Sequence, residues 1–194
     1  MSEIEAKFAE INSDELREKL LALGFECLQP EKLMRRKILF LDENNINLYG
    51  RVRDEGNRIT MTIKNITDGN SIHGVQESEV IINDFEKGVS FMEMAGWRVK
   101  AYQETKRETW YNKTKEVEVV IDTWPGIPTF CEIEADNENA VKQAAVELGF
   151  DWSKAFFGAV DVLYLHHLQI PYDVINLQTP IITFENPPVA FLSA

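Results

Sequence analysis

The sequence predicts an antiparallel α+β fold whose sheet curls into a barrel with a charged interior, and three observations lead there. A Glu-x-Glu pair occurs at Glu3/Glu5, Glu77/Glu79 and Glu132/Glu134, and after each a helix-length interval ends in Gly24-Phe25, Gly96-Trp97 or Gly149-Phe150. Side chains alternate along a strand, so each pair sets two carboxylates on one sheet face. The first strand continues to Lys7 on that face, while Ile4, Ala6 and Phe8 make its other face apolar. A flat sheet can carry this pattern, but a barrel with a polar interior and helices outside explains it better. The third observation is the element order: strand, helix, several strands, helix, several strands, helix. That order favours an antiparallel sheet over alternating parallel units.

Each element has a local cause. Residues 2–8 alternate as a strand. Asn12 with Glu15 forms a capping box, Leu16, Leu20 and Leu23 recur at helical spacing, and Gly24 stops a helix over 13–23. After a link through Pro30, Met34 to Leu41 reads as strand and 42–45 as a turn. Strands over 47–54 and 57–65 flank the hairpin turn Asp54-Glu55-Gly56-Asn57. Arg51 and Arg53 share one face there, as do Thr60, Thr62 and Lys64, with Val52, Met61 and Ile63 opposite.

A loop at Asp68-Gly69-Asn70 leads to a strand over 75–82 that carries Glu77 and Glu79. Asn83 and Glu86 are expected to cap a second helix running to Ala95. Strands over 98–111 and 116–123 carry Arg107 and Asp122, and Trp124-Pro125-Gly126-Ile127-Pro128 makes a turn before the strand Thr129 to Ala135. Helices are expected over 138–148 and 153–167. The tail over 169–194 is too apolar for a solvated linker and is expected to pack on the body or on a second subunit, as in a homodimer. The expected division is a domain over 1–168 and this tail.

Composition narrows the functional classes. A chain of 194 residues is long enough to bury the core of one domain, and no apolar run reaches the roughly 18 residues of a membrane span. An acidic, polar N-terminus is unlike a secretory signal, and two distant cysteines, Cys27 and Cys131, read as free thiols in a reducing cytoplasm. A net charge of −12 argues against nucleic-acid and anionic-membrane partners, which draw on a basic surface. A small anionic substrate fits if the basic residues gather in one place with metal ions to offset the carboxylates.

Other features have structural explanations. Adjacent helical residues diverge by about 100°, so His166 and His167 are expected at the solvent-exposed surface. Trp110, Trp124 and Phe130 are expected to pack, the Gly-aromatic sites to end helices, and Cys131 to face the helices.

Taken in order, the motifs resemble the CYTH, or triphosphate tunnel metalloenzyme, superfamily. Glu3-Ile4-Glu5-Ala6-Lys7 is similar to its N-terminal Glu-x-Glu-x-Lys signature, followed by Arg51-Val52-Arg53, Thr62-Ile63-Lys64, Glu77-Ser78-Glu79, Arg107 before Trp110, Asp122, and Glu132-Ile133-Glu134. The resemblance covers residues 1–165 and implies an eight-stranded antiparallel barrel forming a tunnel, with helices outside. It also implies Mg²⁺ or Mn²⁺ held by Glu3, Glu5, Asp122, Glu132 and Glu134, with Glu77 and Glu79 assisting. The implied triphosphate ligands are Lys7, Arg51, Arg53, Lys64 and Arg107, with Glu5, Lys7 and Arg53 closest to the chemistry. Hard divalent ions prefer oxygen donors, and guanidinium forks match phosphate oxygens.

Two positions depart from the family pattern. Thr105 stands where family members commonly carry a lysine, and its neighbour Lys106 should face the other way. Ala155-Phe156-Phe157-Gly158 replaces the usual Ser-Tyr pair near the tunnel mouth, where Lys154 is a candidate substitute. The expected activity is metal-dependent hydrolysis of an inorganic or organic triphosphate, such as tripolyphosphate, thiamine triphosphate or a nucleoside triphosphate. The alternatives are a class IV adenylate cyclase that converts ATP to cyclic AMP and pyrophosphate, and a non-enzymatic polyphosphate or nucleotide binder.

Overall fold

A computed structural model of the protein describes residues 2–68 and 74–191, with side chains from Ile4 onward. The strands are β1 (Ser2–Glu3), β2 (Glu5–Phe8), β3 (Glu26–Phe40), β4 (Leu48–Asp54), β5 (Ile59–Ile66), β6 (Val75–Ile82), β7 (Arg98–Asn112), β8 (Val117–Thr123), β9 (Phe130–Ala135) and β10 (Ile181–Ile182). Their order in the sheet is β1-β6-β5-β4-β3-β7-β8-β9-β2, and β10 adds in parallel to β7. The order begins and ends on two halves of one N-terminal segment, interrupted only at Ile4. The antiparallel sheet therefore closes on itself as an eight-stranded barrel, which removes its edges.

Helices clad the outside because the outward parity of the strands is apolar. The helices α1 (Ser13–Ala22) and α3 (Glu138–Leu148) bury Leu16, Leu20, Val141 and Leu148 against Ala6, Phe8, Val119, Cys131 and Ile133. The helix α2 (Phe85–Met94) packs Val89 and Met92 on Leu39 and Val52. Each fully buried aliphatic side chain of this kind contributes roughly 1.5–3 kcal/mol. Gly24, Gly96 and Gly149 have positive φ just beyond these helices, and their aromatic successors Phe25, Trp97 and Phe150 pack inward.

Several local expectations need correction. The link before Met34 is strand: β3 starts at Glu26, and its register with β7 shifts around Pro30, which has no N–H to give. Asp84, not Asn83, caps α2, with its carboxylate accepting from the Lys87 N–H at 2.9 Å. The fourth helix is shorter than the spacing suggests. A 3₁₀ turn spans Trp152–Lys154, and α4 covers only Asp161–Leu168. Between them Phe156 exchanges both backbone hydrogen bonds with Lys7, and Gly158 takes a φ of 84°, so no continuous helix can form. Gly69 and Asn70 of the predicted loop lie outside the described residues.

Beyond α4 the chain runs along the barrel wall. Ile170, Ile175 and Ile182 are buried with Trp124, Ile127, Phe130, Leu163 and Tyr164 in one cluster. The Tyr164 hydroxyl donates to the Pro125 carbonyl at 2.8 Å, tying α4 to the β8–β9 turn.

Candidate functional site

The inward parity of the strands lines a cavity of about 1200 Å³ to which every strand from β2 to β9 contributes. That exceeds the roughly 300–1,000 Å³ of ordinary ligand pockets, so a polyanion with accompanying ions and waters has room. Glu5, Lys7, Arg51, Arg53, Lys64, Glu77, Glu79, Arg107, Asp122, Glu132 and Glu134 all line this one cavity. The Glu3 side chain lies outside the described residues, and Lys154 is exposed and does not line the cavity. Cys131 and Trp110 face the helices, while Trp124 and Phe130 pack with Leu163 and Tyr164, and Trp124 also lines the cavity.

The interior is polarised. Arg51 and Arg53 lie on β4, four strands around the barrel from β9, which carries Glu132 and Glu134. On the acidic side the register sets Glu5 opposite Glu134 and Glu134 opposite Glu118, making one row of carboxylates across β2, β9 and β8. Burial raises the carboxyl pKa of Glu118, and Arg107 and Arg58 only partly offset this. One row over, Lys7 sits opposite Glu132, and its ammonium is bonded to Glu5, to the Gly158 carbonyl at 2.6 Å and, more distantly, to Glu132 at 3.6 Å. Arg107 spans the next rows, reaching Asp122 at 2.5 Å and Glu132 at 2.9 Å.

The basic side is differently balanced. Lys64 reaches Glu77 at 2.8 Å, Arg51 lies 3.4 Å from both Glu77 and Glu79, and Arg53 reaches Glu55 at 2.5 Å. Arg36 on β3 has no carboxylate contact among the described residues. Its guanidinium donates to the Thr105 hydroxyl at 2.7 Å and lies 4.6 Å from the Trp124 ring centroid. Burial, reinforced by repulsion from Arg53, Arg51 and Arg107, holds the Arg36 pKa well below the usual guanidinium value. Burial, then repulsion from Arg51 and Arg107, lowers Arg53 to about 10. The Nε atoms of Arg36, Arg51 and Arg53 are buried with no hydrogen-bond partner. Unsatisfied donors and repelling cations in a low-dielectric space are costly unless an anion joins them.

Arg36 also bears on Thr105, the position that departs from the family pattern. A cation from the neighbouring strand covers that hydroxyl, while Lys106 points outward toward Glu31. The run Arg35-Arg36-Lys37 hid this in the sequence, because three consecutive cations show no alternation. Glu118 was accessible by counting back in twos from Asp122. Asp161, at the start of α4, was not accessible by strand parity. It lines the cavity, accepts from Asn176 at 2.7 Å, and has a carboxyl pKa raised by burial.

A divalent cation fits this interior. The Glu5–Glu134–Glu118 row offers only oxygen donors from adjacent strands, the donor type that hard ions select.

No curated protein matches this sequence. Solved structures do resemble the fold. A conserved hypothetical protein from Pyrococcus furiosus is similar with a TM-score of 0.68 at 22% identity, over 84% of this chain and 99% of that one. A Pyrococcus horikoshii protein gives a TM-score of 0.67 at 19% identity, over 83% of this chain and 98% of that one. A candidate adenylate cyclase from Vibrio parahaemolyticus gives 0.68 at 14% identity, over 84% and 97%. At such identities the likeness is one of fold. The CYTH domain model matches residues 1–154 in sequence, and this chain, with its closed barrel and charged interior, belongs to the CYTH domain family.

Proposed function

We propose that the protein is a divalent-metal-dependent enzyme that hydrolyses a triphosphate, inorganic or organic, inside the barrel. The supporting observation is the basic wall: Arg36, Arg51 and Arg53 each bury an Nε without a partner, facing an opposed wall of carboxylates. A polyanion accompanied by a cation satisfies both walls at once. A pure anion binder would have no need of the carboxylate row, which repels its ligand.

Family membership implies a divalent-metal cofactor, and Mg²⁺ or Mn²⁺ matches the oxygen donors. Glu5 and Glu134 would hold it with Glu3, Asp122 or Glu132. When bound, the ion supplies charge neutralisation at the phosphate oxygens. The chain's own residues do the rest. Arg51, Arg53 and Arg36 grip phosphate oxygens from β4 and β3, Lys64 and Arg107 flank them, and Glu77 and Glu79 hold Arg51 and Lys64 in place. Lys7, fixed by Gly158 and Glu5, sits between the two walls and stabilises charge as it shifts between phosphate oxygens. Glu5 orients the attacking water.

The test is incubation of purified protein with tripolyphosphate, thiamine triphosphate and ATP, each with Mg²⁺ or Mn²⁺. Orthophosphate release that requires the metal is expected. Cyclic AMP with pyrophosphate from ATP would replace this reading with that of a cyclase, and no turnover of any substrate would leave a binding protein.

A further inference from the structure

Of the two adjacent histidines, His166 is exposed as expected, whereas His167 is turned into the protein. Their ring centroids are 4.7 Å apart, and the His167 side chain is only 10% exposed. Both stand at the C-terminal end of α4, where they meet Glu10, just beyond β2. One ligand-type atom from each of Glu10, His166 and His167 lies within 4.8 Å of the other two. The Phe156 ring packs edge-on to His166 at 5.0 Å.

Neither nitrogen of His167 has a hydrogen bond among the described residues. Nδ1 is 3.9 Å from the Glu10 carboxylate, beyond hydrogen-bond reach, and Nε2 is buried without a partner. A buried Nε2 with no partner loses the water contact it would have in the unfolded chain and gains nothing in return. Nδ1, the nitrogen that approaches Glu10, is open to coordinate a cation.

We propose that Glu10, His166 and His167 form a second metal site, distinct from the tunnel, for a borderline transition-metal ion such as Zn²⁺. Two imidazoles and a carboxylate select Zn²⁺, Co²⁺ or Ni²⁺, whereas the all-oxygen tunnel row selects Mg²⁺ or Mn²⁺. Zinc–ligand bonds of about 2.0–2.2 Å require the three donors to close on the ion by on the order of 1 Å. His166 and Glu10 are exposed and free to make that movement. The site would act as a staple. Glu10 follows the strand that carries Glu5 and Lys7, while His166 and His167 end the helix that Asp161 begins, so one ion would fix α4 against the tunnel's catalytic strand.

The experiment is equilibrium dialysis with Zn²⁺ in excess Mg²⁺, paired with thermal unfolding. One Zn²⁺ per chain that Mg²⁺ does not displace is expected, with a raised unfolding midpoint. His166→Ala and Glu10→Gln should each weaken Zn²⁺ binding at least tenfold and abolish that thermal shift. Both replaced side chains are exposed, and unchanged circular dichroism of the variants verifies the fold. Cobalt offers an independent reading: Co²⁺ should give intense visible bands of a low-coordinate nitrogen and oxygen site, lost in His166→Ala. Zn²⁺ that is displaced by Mg²⁺, or that binds both variants as tightly as the parent, would overturn the site.

Discussion

Arg36 on β3 and Arg53 on β4 are direct cross-strand partners, two buried guanidinium groups of like charge facing one cavity. Like charges placed directly opposite in a sheet destabilise it. The pair is therefore retained at a cost to the empty barrel, which an incoming polyanion removes. Arg36→Met should leave the ligand-free protein as stable as the parent or up to roughly 1 kcal/mol more stable. The same change should lower kcat/KM for the triphosphate by about 10- to 100-fold, mostly through KM. Urea unfolding and steady-state kinetics on one preparation test both signs.

Glu5 and Glu134 face each other across β2 and β9. Glu5→Gln and Glu134→Gln keep the shape and hydrogen-bonding atoms but remove the charge that would hold a divalent ion. Each should abolish metal-dependent turnover while leaving the circular dichroism spectrum unchanged. Full activity in either variant would remove that residue from the site.

Glu132 makes the barrel sensitive to acid. Burial alone would raise its carboxyl pKa, but Lys7, Arg107, Lys64 and Arg36 hold it at about 2, against 4.5 for an unpaired glutamate. The unfolded chain takes up this proton as pH falls below that ordinary value, while the folded chain resists until near the lower one. The stabilisation is complete above the ordinary value and is lost progressively down to the folded one. Urea denaturation from pH 6 to 3 should show a steeper loss in the parent than in Glu132→Gln.

Gly126 has a φ of +87°, and a Cβ there would lie 2.6 Å from the Pro188 carbonyl oxygen. Gly126→Ala combines backbone strain with a clash against main chain that cannot rotate away, costing about 1–3 kcal/mol. A lower thermal midpoint is expected, with faster proteolytic clipping of the C-terminal residues.

Strand parity made much of the site legible. Alternation alone put Glu5 with Lys7, Arg51 with Arg53, and Lys64 with Thr60 and Thr62 on shared strand faces, and the structure turns Glu5, Lys7, Arg51, Arg53 and Lys64 into one cavity. Arg36 escaped because it is flanked by cations on both sides and by apolar residues of both parities, Leu33, Met34, Ile38 and Leu39, so nothing marks which way is in. The break in the fourth helix was hidden for another reason: nothing within residues 153–167 reveals that Phe156 will find backbone partners on Lys7. Long-range pairing of that kind overrides local spacing. The histidine pair shows the same limit, since its contact with Glu10 depends on where the end of β2 meets α4.

The seam of the barrel lies between β2 and β9, near opposite ends of the folded domain. During synthesis the first strand must therefore wait, unpaired on this side, until nearly all the remaining strands have left the ribosome. Closing so long a loop is slow and late. The tunnel then cannot exist in any truncated product that lacks β9, and an incomplete chain would expose two carboxylate-bearing edges with no capacity to collect a metal ion between them.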